Sequence, residues 1–418
     1  MSSTDISRYL MSFSYEPDLG LFPEDSSQTM VECVPIDGRR VPRYVNEFWT
    51  AKQRQASSIH EISYRACFKP QLPRFFIELL SEKGDVVYDP FSGRGTTVIE
   101  AGLLGRRIIS NDVNPLSEIL TRPRFFVPQL TDVQERLAEI PIKEKGKADI
   151  DVSMFYHPRT EAEIVSLRQY LANRKVSVEE DELDGWIRMV ATNRLTGHSS
   201  GFFSVYTLPP NQAPTPRSQV RINRKRKQTP PYRDTLAIIL KKTRCLLRSV
   251  TKGQERALCE VGRKGLFLAE DARSTPQIAS GSVQLTVTSP PFLDTVQYAA
   301  DNWLRCWFNG IEVDAVSEKM TVARSTNTWT CVMGDVFKEL FRITAAGGHV
   351  AFEVGEVRKG TVKLEDYVVP LGLKAGFDCK AVLINLQDFT KTSNIWGINN
   401  GRSGTNTNRI VLFTKAEV

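Results

Sequence analysis

One segment constrains the fold of this chain more than any other, the thirty residues from 85 to 114. They read "DVVYDPFSGRGTTVIEAGLLGRRIISNDVN". An apolar run enters a glycine loop, a helical pattern follows and ends at Gly105, and a second apolar run ends at an acid. This order of strand, loop, helix and strand predicts the first half of a doubly wound α/β sheet.

The rest of the chain falls into parts around this segment. A helix entered at Pro73 and closed by Gly84 precedes it, and two apolar runs near the C-terminus predict a terminal strand pair. The α/β alternation stops near residue 121 and resumes after 261, with helical patterns between. We therefore predict a Rossmann-like α/β domain with a C-terminal antiparallel strand pair and a helical insertion. The parts are an irregular N-terminal arm (1–55), the first part of the domain (56–120), the insertion (121–261) and the second part (262–418).

The positive charge is concentrated in the insertion. The 418 residues carry a net charge of +7, yet residues 217–248 hold eleven Lys or Arg and one acid, Asp234. Without that run the remaining chain is slightly acidic. A run so poor in acids favours contact with a polyanion over an ordinary solvated helix face.

Cysteine and histidine usage excludes two classes of protein. The seven cysteines are scattered without a CxxC pair, and no two of the four histidines lie within four residues of each other. We expect reduced thiols, no disulfide frame and no metal site. The chain has no window of 18 apolar residues and no signal pattern at its N-terminus, so we expect a cytoplasmic protein with no membrane partner.

The glycine loop is a candidate ligand site. Gly93 and Gly95 let the backbone come close to a ligand, although an ordinary turn would use the same residues. The loop lacks both the GK[ST] of a phosphate-binding loop and the G-x-G-x-x-G dinucleotide pattern. Asp112 ends the next strand, where its carboxylate could accept both hydroxyls of a ribose or could cap the following helix.

A second motif follows the resumed α/β pattern. The strand "TVT" runs into Ser289, Pro290, Pro291 and Phe292, which end it with two residues that have no N–H group. Together with the glycine loop, this motif resembles the S-adenosylmethionine-dependent amino-group methyltransferases of DNA. The Ser-Pro-Pro-aromatic form resembles the branch that methylates N4 of cytosine, whereas the adenine N6 branch usually has Asp or Asn first.

The resemblance implies S-adenosylmethionine as cofactor and a set of residues that bind it. The family closes a segment over the methionine end of the cofactor, where Lys69 could meet its carboxylate or simply be solvated. Asp271 falls where the family places an acid or amide near the adenine, or it caps a turn. The implied cofactor-binding residues are Phe68, Lys69, Pro70, Asp89, Phe91, Gly93, Gly95, Thr96, Asp112 and Asp271.

The chemistry of the reaction explains the Ser-Pro-Pro-Phe motif. The lone pair of an exocyclic amine is delocalised, so the site must offer rigid acceptors to its N–H groups. Ser289 offers its hydroxyl oxygen, and its own carbonyl or that of Pro290 offers a second acceptor. Phe292 would stack on the base, which must be flipped out of the duplex to reach the site. An ordinary strand end with a Pro-Pro turn is the alternative.

The insertion and the tail hold the remaining candidates. Residues 194–212, which include His198, could contact bases or line the cleft, and Phe389 and Trp396 could hold the flipped base or pack in the core. The glycine loop precedes the Ser-Pro-Pro motif, unlike the order in many Ser-Pro-Pro enzymes, so no recognition residues are transferred from them. The predicted DNA-binding residues are Arg221, Arg224, Lys225, Arg226 and Lys227.

Four functions are compatible with these motifs. The first is N4 methylation of cytosine in double-stranded DNA in a prokaryote or phage, with a cognate restriction enzyme as a possible partner. The second is N6 methylation of adenine in DNA. The third is methylation of an RNA amino group, and the fourth is DNA binding without catalysis on the same fold.

Overall fold

A computed structural model describes residues 3–14, 28–49, 56–64, 67–208, 212–291, 301–319, 325–357, 362–386 and 408–417. Within these ranges the chain forms one nine-stranded sheet and a small separate hairpin. The hairpin consists of β8 (Glu356–Val357) and β9 (Val362–Lys363). The strands of the large sheet are β1 (Met30–Ile36), β2 (Arg39–Asn46), β3 (Val86–Asp89), β4 (Arg107–Asn111), β5 (Leu266–Leu268), β6 (Val283–Thr288), β7 (Thr344–Val354), β10 (Asp378–Asn385) and β11 (Asn408–Thr414).

The large sheet has the order β1-β2-β10-β11-β7-β6-β3-β4-β5. The five neighbouring strands from β7 to β5 are all parallel, so their carboxyl ends meet at one edge. β11 lies antiparallel between β7 and β10. The predicted α/β sheet with a C-terminal antiparallel pair is confirmed.

The central strands are buried along most of their length because both faces of the sheet are covered. All four residues of β3 are buried, and so are Val283, Leu285 and Val287 of β6. Short buried runs of this kind do not indicate which strands are neighbours. The order of the strands is therefore a result of the tertiary structure rather than of the pattern.

Fourteen α-helices lie within the described residues, and two short 3-10 helices (Ser58–His60 and Arg122–Phe125) accompany them. The predicted helices before and after the glycine loop are present, as are three predicted in the insertion. The α-helices are α1 (Ser3–Met11), α2 (Gln71–Leu80), α3 (Thr96–Leu103), α4 (Leu116–Thr121), α5 (Leu130–Glu139), α6 (Pro158–Val176), α7 (Glu182–Arg194), α8 (Pro216–Arg226), α9 (Thr235–Leu247), α10 (Lys252–Lys264), α11 (Trp303–Asn309), α12 (Val313–Lys319), α13 (Thr326–Ile343) and α14 (Glu365–Ala375). None of the described helices is long and apolar enough to cross a membrane.

The prediction of an irregular N-terminal arm is wrong for two stretches. Residues 3–11 form α1, and β1 and β2 form a hairpin that extends the sheet. β2 pairs in parallel with β10, so Val45 lies opposite Ile384. The pattern of this hairpin is weak because β1 is a mostly exposed edge strand with few buried residues.

The helical insertion lies between the neighbouring strands β4 and β5 and shares one hydrophobic core with the sheet. Trp186 of α7 and Leu167 of α6 belong to the same buried cluster as Val87 of β3. The last helix, α10, packs on α3, where Leu258 lies 3.1 Å from the position of a Cβ at Gly102. The predicted boundary at residue 261 therefore falls inside a helix that covers the sheet.

Candidate active site

The carboxyl edge of the parallel strands brings together residues that are far apart in the sequence. β3 ends at Asp89, β4 at Asn111, β6 at Thr288 and β7 at Val354, and these strands are neighbours. Loops that follow the carboxyl ends of such strands form the usual ligand crevice of an open α/β sheet. The glycine loop and the Ser-Pro-Pro motif follow two adjacent strands at this edge.

Both glycines of the loop adopt backbone conformations that L side chains rarely adopt. The φ angle is 53° at Gly93 and 72° at Gly95. A Cβ at Gly95 would lie 2.4 Å from the side chain of Thr121, and one at Gly93 would lie 3.4 Å from the ring of Tyr64. Glycine is required here by positive φ and by close packing within the chain itself.

Asp112 lies against the glycine loop. One carboxylate oxygen accepts a hydrogen bond from the N–H of Gly93 (2.8 Å) and the other from the N–H of Asn114 (2.9 Å). Asp112 thus contacts the loop and closes a turn before α4, but it does not cap that helix, which begins at Leu116 without a side-chain cap. Burial raises the pKa of Asp112 to about 6, and the two backbone hydrogen bonds oppose that shift.

Asp89 connects the two motifs. Its carboxylate accepts hydrogen bonds from the Thr288 hydroxyl (2.6 Å) and from the N–H of Phe91 (3.1 Å). The hydroxyl of Thr97 donates to the carbonyl of Val287 (3.0 Å), which adds a second link between β6 and α3. Burial raises the pKa of Asp89 to about 7, against the hydrogen bonds that stabilise its charged form. The end of β6 and the glycine loop are therefore held as one unit.

A buried carboxyl group that the sequence analysis missed lies beside Ser289. Thr288 is opposite Phe352 in the parallel pairing, so Glu353 of β7 lies next to Ser289. The Asn408 side chain donates a hydrogen bond to Glu353, and the neighbouring Ser289 side chain favours its charged form. Burial raises the pKa of Glu353 to about 7, and these two side chains oppose that shift. A lone acid within the apolar run "HVAFEVG" was the available signal.

The two prolines are held by their surroundings. Pro290 is buried, and the carbonyl of Pro291 accepts a hydrogen bond from the indole N–H of Trp329 on α13 (2.9 Å). The sequence analysis also missed Trp329. Phe292, the fourth residue of the motif, lies outside the described residues, as do Phe389 and Trp396.

Arg94 of the glycine loop connects this loop to the segment that contains Phe68, Lys69 and Pro70. The Arg94 guanidinium donates to the carbonyls of Ile62 (2.7 Å) and Phe68 (3.5 Å). Burial and the charge of Arg94 lower the pKa of Lys69. Pro70 is buried and immediately precedes α2. The segment predicted to close over the methionine end of the cofactor is thus adjacent to the glycine loop.

The remaining predicted cofactor residues have contacts within the chain. Thr96 is buried, and its hydroxyl accepts from the Arg94 guanidinium (3.2 Å). Asp271 accepts from the Arg273 side chain (2.5 Å) and from its N–H (2.9 Å), the contacts of a turn cap. The hydrogen bond from Arg273 lowers the pKa of Asp271. An adenine contact of Asp271 stays a prediction.

The basic run forms an exposed helical surface on α8 and directly after it. All five predicted DNA-binding side chains are exposed on α8 or directly after it, and within the described residues none forms an ion pair. Arg226 stacks on the ring of Tyr206 at 3.8 Å. The N–H of Ala213 donates to the carbonyl of Asp301 (3.0 Å), and the indole of Trp303 donates to the carbonyl of Pro214 (3.3 Å). α8 therefore begins beside the chain that returns from the Ser-Pro-Pro motif.

Comparison with known proteins agrees with this geometry. Residues 29–118 match the N6_N4_Mtase family model, which is described as DNA methylase. The matched region includes the β1–β2 hairpin, the glycine loop and Asp112. The predicted resemblance to amino-group methyltransferases of DNA is confirmed, and the match supports S-adenosylmethionine as the cofactor.

Curated relatives match larger or different parts of the chain. It is 24% identical over 286 residues to the type II methyltransferase M.BsoBI of Geobacillus stearothermophilus, covering 62% of this chain and 54% of that protein. It is 28% identical over 170 residues to M.MvaI of Kocuria varians, covering 36% and 37%. A tRNA (guanine(10)-N2)-dimethyltransferase of Methanocaldococcus jannaschii is 36% identical over 63 residues, covering 15% and 18%. The chain spans about half the length of these relatives or less.

Proposed function

We propose that this protein methylates the exocyclic N4 of a flipped-out cytosine in double-stranded DNA, with S-adenosylmethionine as methyl donor. The observation that carries the proposal is the Asp89–Thr288 hydrogen bond. It fixes the end of the strand that precedes Ser289 against the glycine loop. A cofactor loop and a set of amine acceptors joined in this way fit the transfer of a group from a cofactor to an amine.

The residues around the glycine loop fit the cofactor. Asp112 is a partly buried carboxylate whose two oxygens each accept one backbone hydrogen bond, which leaves lone pairs for ribose hydroxyls. In this proposal Lys69 meets the cofactor carboxylate, and Asp271 and Phe91 belong to the same predicted set. When bound, S-adenosylmethionine supplies an electrophilic methyl group on its sulfonium. The adjacent chain supplies the acceptors for the amine.

Ser289 and Glu353 provide the acceptor and a destination for the proton. When the Ser289 hydroxyl donates its hydrogen to the neighbouring Glu353, the oxygen directs its lone pairs away from that carboxylate. Those lone pairs can accept an N–H of the amine. As the amine nitrogen forms its new bond to carbon it must lose one proton. An ionised Glu353 can receive that proton through the Ser289 hydroxyl, which keeps the transfer balanced.

The choice of cytosine over adenine is supported by the serine at position 289. The matched family includes both N6 and N4 methylases, so the preference rests on the Ser-Pro-Pro form of the motif. The DNA substrate is supported by the type II methyltransferases among the relatives and by the exposed cations of α8. The proposal extends to a cytoplasmic, DNA-associated protein of prokaryotic or phage origin. A cognate restriction enzyme is a partner that this proposal would accommodate.

A second candidate is methylation of an amino group in RNA. The short match to the tRNA guanine-N2 dimethyltransferase favours it specifically. That match covers only 15% of this chain, whereas the M.BsoBI match covers 62%. We therefore prefer the DNA substrate.

Product analysis tests both candidates. The protein is incubated with S-adenosylmethionine and with unmethylated DNA or with RNA, and the digested nucleosides are identified by mass spectrometry. We expect N4-methylcytosine in the DNA. N6-methyladenine alone would overturn the assignment of the base, and methylated RNA with untouched DNA would overturn the substrate.

Replacing Ser289 by Ala tests the proposed acceptor in the same assay. The hydroxyl acts most strongly as the amine changes geometry, so kcat should fall by about 10–10³-fold, as for loss of one preorganised polar group. Affinity for cofactor and for DNA should change little. Ser282→Ala, at the start of the same strand, is the matched control and should keep full activity. An unchanged kcat in the Ser289→Ala protein would contradict this role.

A further inference from the structure

Four buried arginines form no ion pair within the described residues. Arg94, Arg124, Arg194 and Arg305 are each at most 8% exposed. Their hydrogen bonds go to carbonyl, amide and hydroxyl oxygens. Arg106 is buried in the same way, whereas two other buried arginines are paired with acids. Arg188 pairs with Glu180 at 2.6 Å, and Arg409 pairs with Glu365 at 2.5 Å.

Two of the four form a pair that the mechanism above does not use. Arg194 ends α7 and Arg305 lies on α11, the first helix after the Ser-Pro-Pro motif in the described chain. One network of oxygens holds both. Asn193 accepts from Arg194 (2.5 Å) and donates to the carbonyl of Ser63 (2.8 Å), which also accepts from Arg305 (3.2 Å). Burial and the nearby charge of Arg305 lower the pKa of Arg194 to about 10.

Placing two like charges together in a desolvated site costs free energy unless anions compensate them. The charge of Asp301 favours the cationic form of Arg305 and offsets one of the two charges at most. The single carboxylate of S-adenosylmethionine is assigned above to Lys69, so a further anion is sought in the other substrate. Guanidinium groups bind phosphate oxygens well, because their planar donors can form two parallel hydrogen bonds.

The pair lies between the cofactor loop and the exposed cations of α8. Arg305 faces the ring of Tyr64 (5.8 Å), and Tyr64 packs on Gly93 of the glycine loop. On the other side, Trp303 lies two residues before Arg305 in the chain. Its indole N–H donates a hydrogen bond to the carbonyl of Pro214, just before α8. Arg194 stacks on the ring of Phe202 (4.0 Å). Four residues further along the same loop, Tyr206 stacks under Arg226 of α8. Positive charge thus continues from the surface of α8 to the edge of the cofactor loop.

We propose that Arg194 and Arg305 form a binding site for the DNA phosphate next to the target nucleotide. This inference rests on the proposed DNA substrate. A nucleotide turned out of the duplex carries its flanking phosphates toward the pocket, where they lose water and need a new partner. Two preorganised guanidiniums would replace that hydration and hold the strand in its distorted form.

The test uses charge removal with the side-chain stem retained. Arg194→Met and Arg305→Met should each weaken DNA affinity about tenfold, the size expected for one charged hydrogen bond. Each should also reduce the log–log salt slope by about 0.9, because one phosphate contact is lost. Arg194→Lys and Arg305→Lys should recover most of the slope, since they keep the charge. Cofactor affinity should be unchanged in all four variants.

Arg168→Met is the matched control. Arg168 also stacks on a ring of α11, that of Trp307 at 4.7 Å, but it pairs with Asp149. Its loss should leave the salt slope unchanged. An equal fall in thermal stability and cofactor affinity in the Met and Lys variants of Arg194 and Arg305 would instead show a structural role and overturn the inference.

A double-mutant cycle locates the phosphate. The probe is a duplex that contains the sequence methylated by the wild-type protein, with one neutral methylphosphonate linkage beside the target nucleotide. The linkage should weaken binding of the wild-type protein and have little further effect on Arg194→Met or Arg305→Met. Full additivity at both flanking linkages would overturn the phosphate site while leaving the methyltransferase assignment intact. A wild-type protein that methylates no DNA would overturn the proposed function itself.

Discussion

At the scale of single residues, the site contains two carboxyl groups whose environments give them different tasks. Asp89 accepts hydrogen bonds from Thr288 and Phe91, whereas Glu353 lies beside Ser289. Burial raises the pKa of both to about 7. Perturbed carboxyl groups of this kind concentrate at functional sites because catalysis needs a proton acceptor near the working pH.

Glu353→Gln should change the dependence of kcat on pH. In the wild-type protein the rate should fall as the pH falls through about 7, roughly tenfold per pH unit below it, because protonated Glu353 accepts no proton. Glu353→Gln should be slow and should lose this dependence. Asp89→Asn is the control that should retain it, since Asp89 titrates in the same range. A pH profile that persists in Glu353→Gln would assign the proton to another group.

Asp112→Ala should weaken cofactor binding by about 1–3 kcal/mol, the cost of leaving polar groups unpaired. The variant removes the proposed ribose acceptor together with the support of the Gly93 N–H. Calorimetry measures the affinity. Asp85→Ala is the control, because Asp85 also accepts a backbone N–H, that of Glu82, but at the opposite end of β3. Equal affinity in the wild-type and Asp112→Ala proteins would exclude the ribose role.

At the scale of elements, α8 places a line of cations where a polyanion can reach them. Thr215 caps its N-terminus through the N–H of Ser218, and Pro216 occupies the first turn. Gln219 and Asn223 fix its inner face through the carbonyls of Tyr206 and Met154. Polar anchors on one face leave the basic face exposed, which is uncommon for a helix that contributes so little to the core.

Replacing Arg224, Lys225, Arg226 and Lys227 by Ala should weaken DNA binding and flatten its salt dependence. Each phosphate contact that is lost should reduce the log–log slope by about 0.9. The exposed cations of α10, Arg256, Arg263 and Lys264, provide the control set, and their replacement should leave the slope unchanged. An unchanged slope in the α8 variant would show that this helix faces away from DNA.

At the scale of the whole molecule, the buried carboxyl groups link stability to pH. Glu353 binds its proton more tightly when folded, since its pKa rises from 4.5 to about 7. The free energy of unfolding that depends on this group is therefore lost as the pH rises through that interval. Glu339 has the opposite sign, because hydrogen bonds from Arg342 and Thr275 hold its pKa at about 2.

Thermal unfolding at pH 5 and pH 8 distinguishes the opposite effects of Glu353 and Glu339 on the pH dependence of stability. Glu353→Gln should raise the Tm at pH 8 and change it little at pH 5, because only the charged form is disfavoured in the fold. Glu339→Gln, a buried Glu on α13, should lower the Tm at pH 8 because it removes a favourable ion pair. A lower Tm for Glu353→Gln at pH 8 would contradict the raised pKa. Stability lost at a site of this kind is the expected cost of function.

The local pattern by itself determined the β3–α3–β4 unit, the positions of the glycines and the end of β6 at Ser289. Apolar periodicity, glycine and proline act within a few residues along the chain, so they can be identified without knowing what packs nearby. The exposed basic surface of α8 could be predicted for the same reason. Burying a dense run of cations without acids would cost more free energy than packing could return.

Only the tertiary structure decided which distant residues meet. The pairing of β6 with β7 places Glu353 beside Ser289, and that of β6 with β3 allows Thr288 to reach Asp89. The pairing of β2 with β10 extends the sheet by a hairpin whose own hydrophobic pattern is weak. The contacts of Arg194 and Arg305 with one carbonyl depend on the packing of α7 and α11. Strand pairing and helix packing join residues through space, and the spacing of residues along a single chain carries no record of that choice.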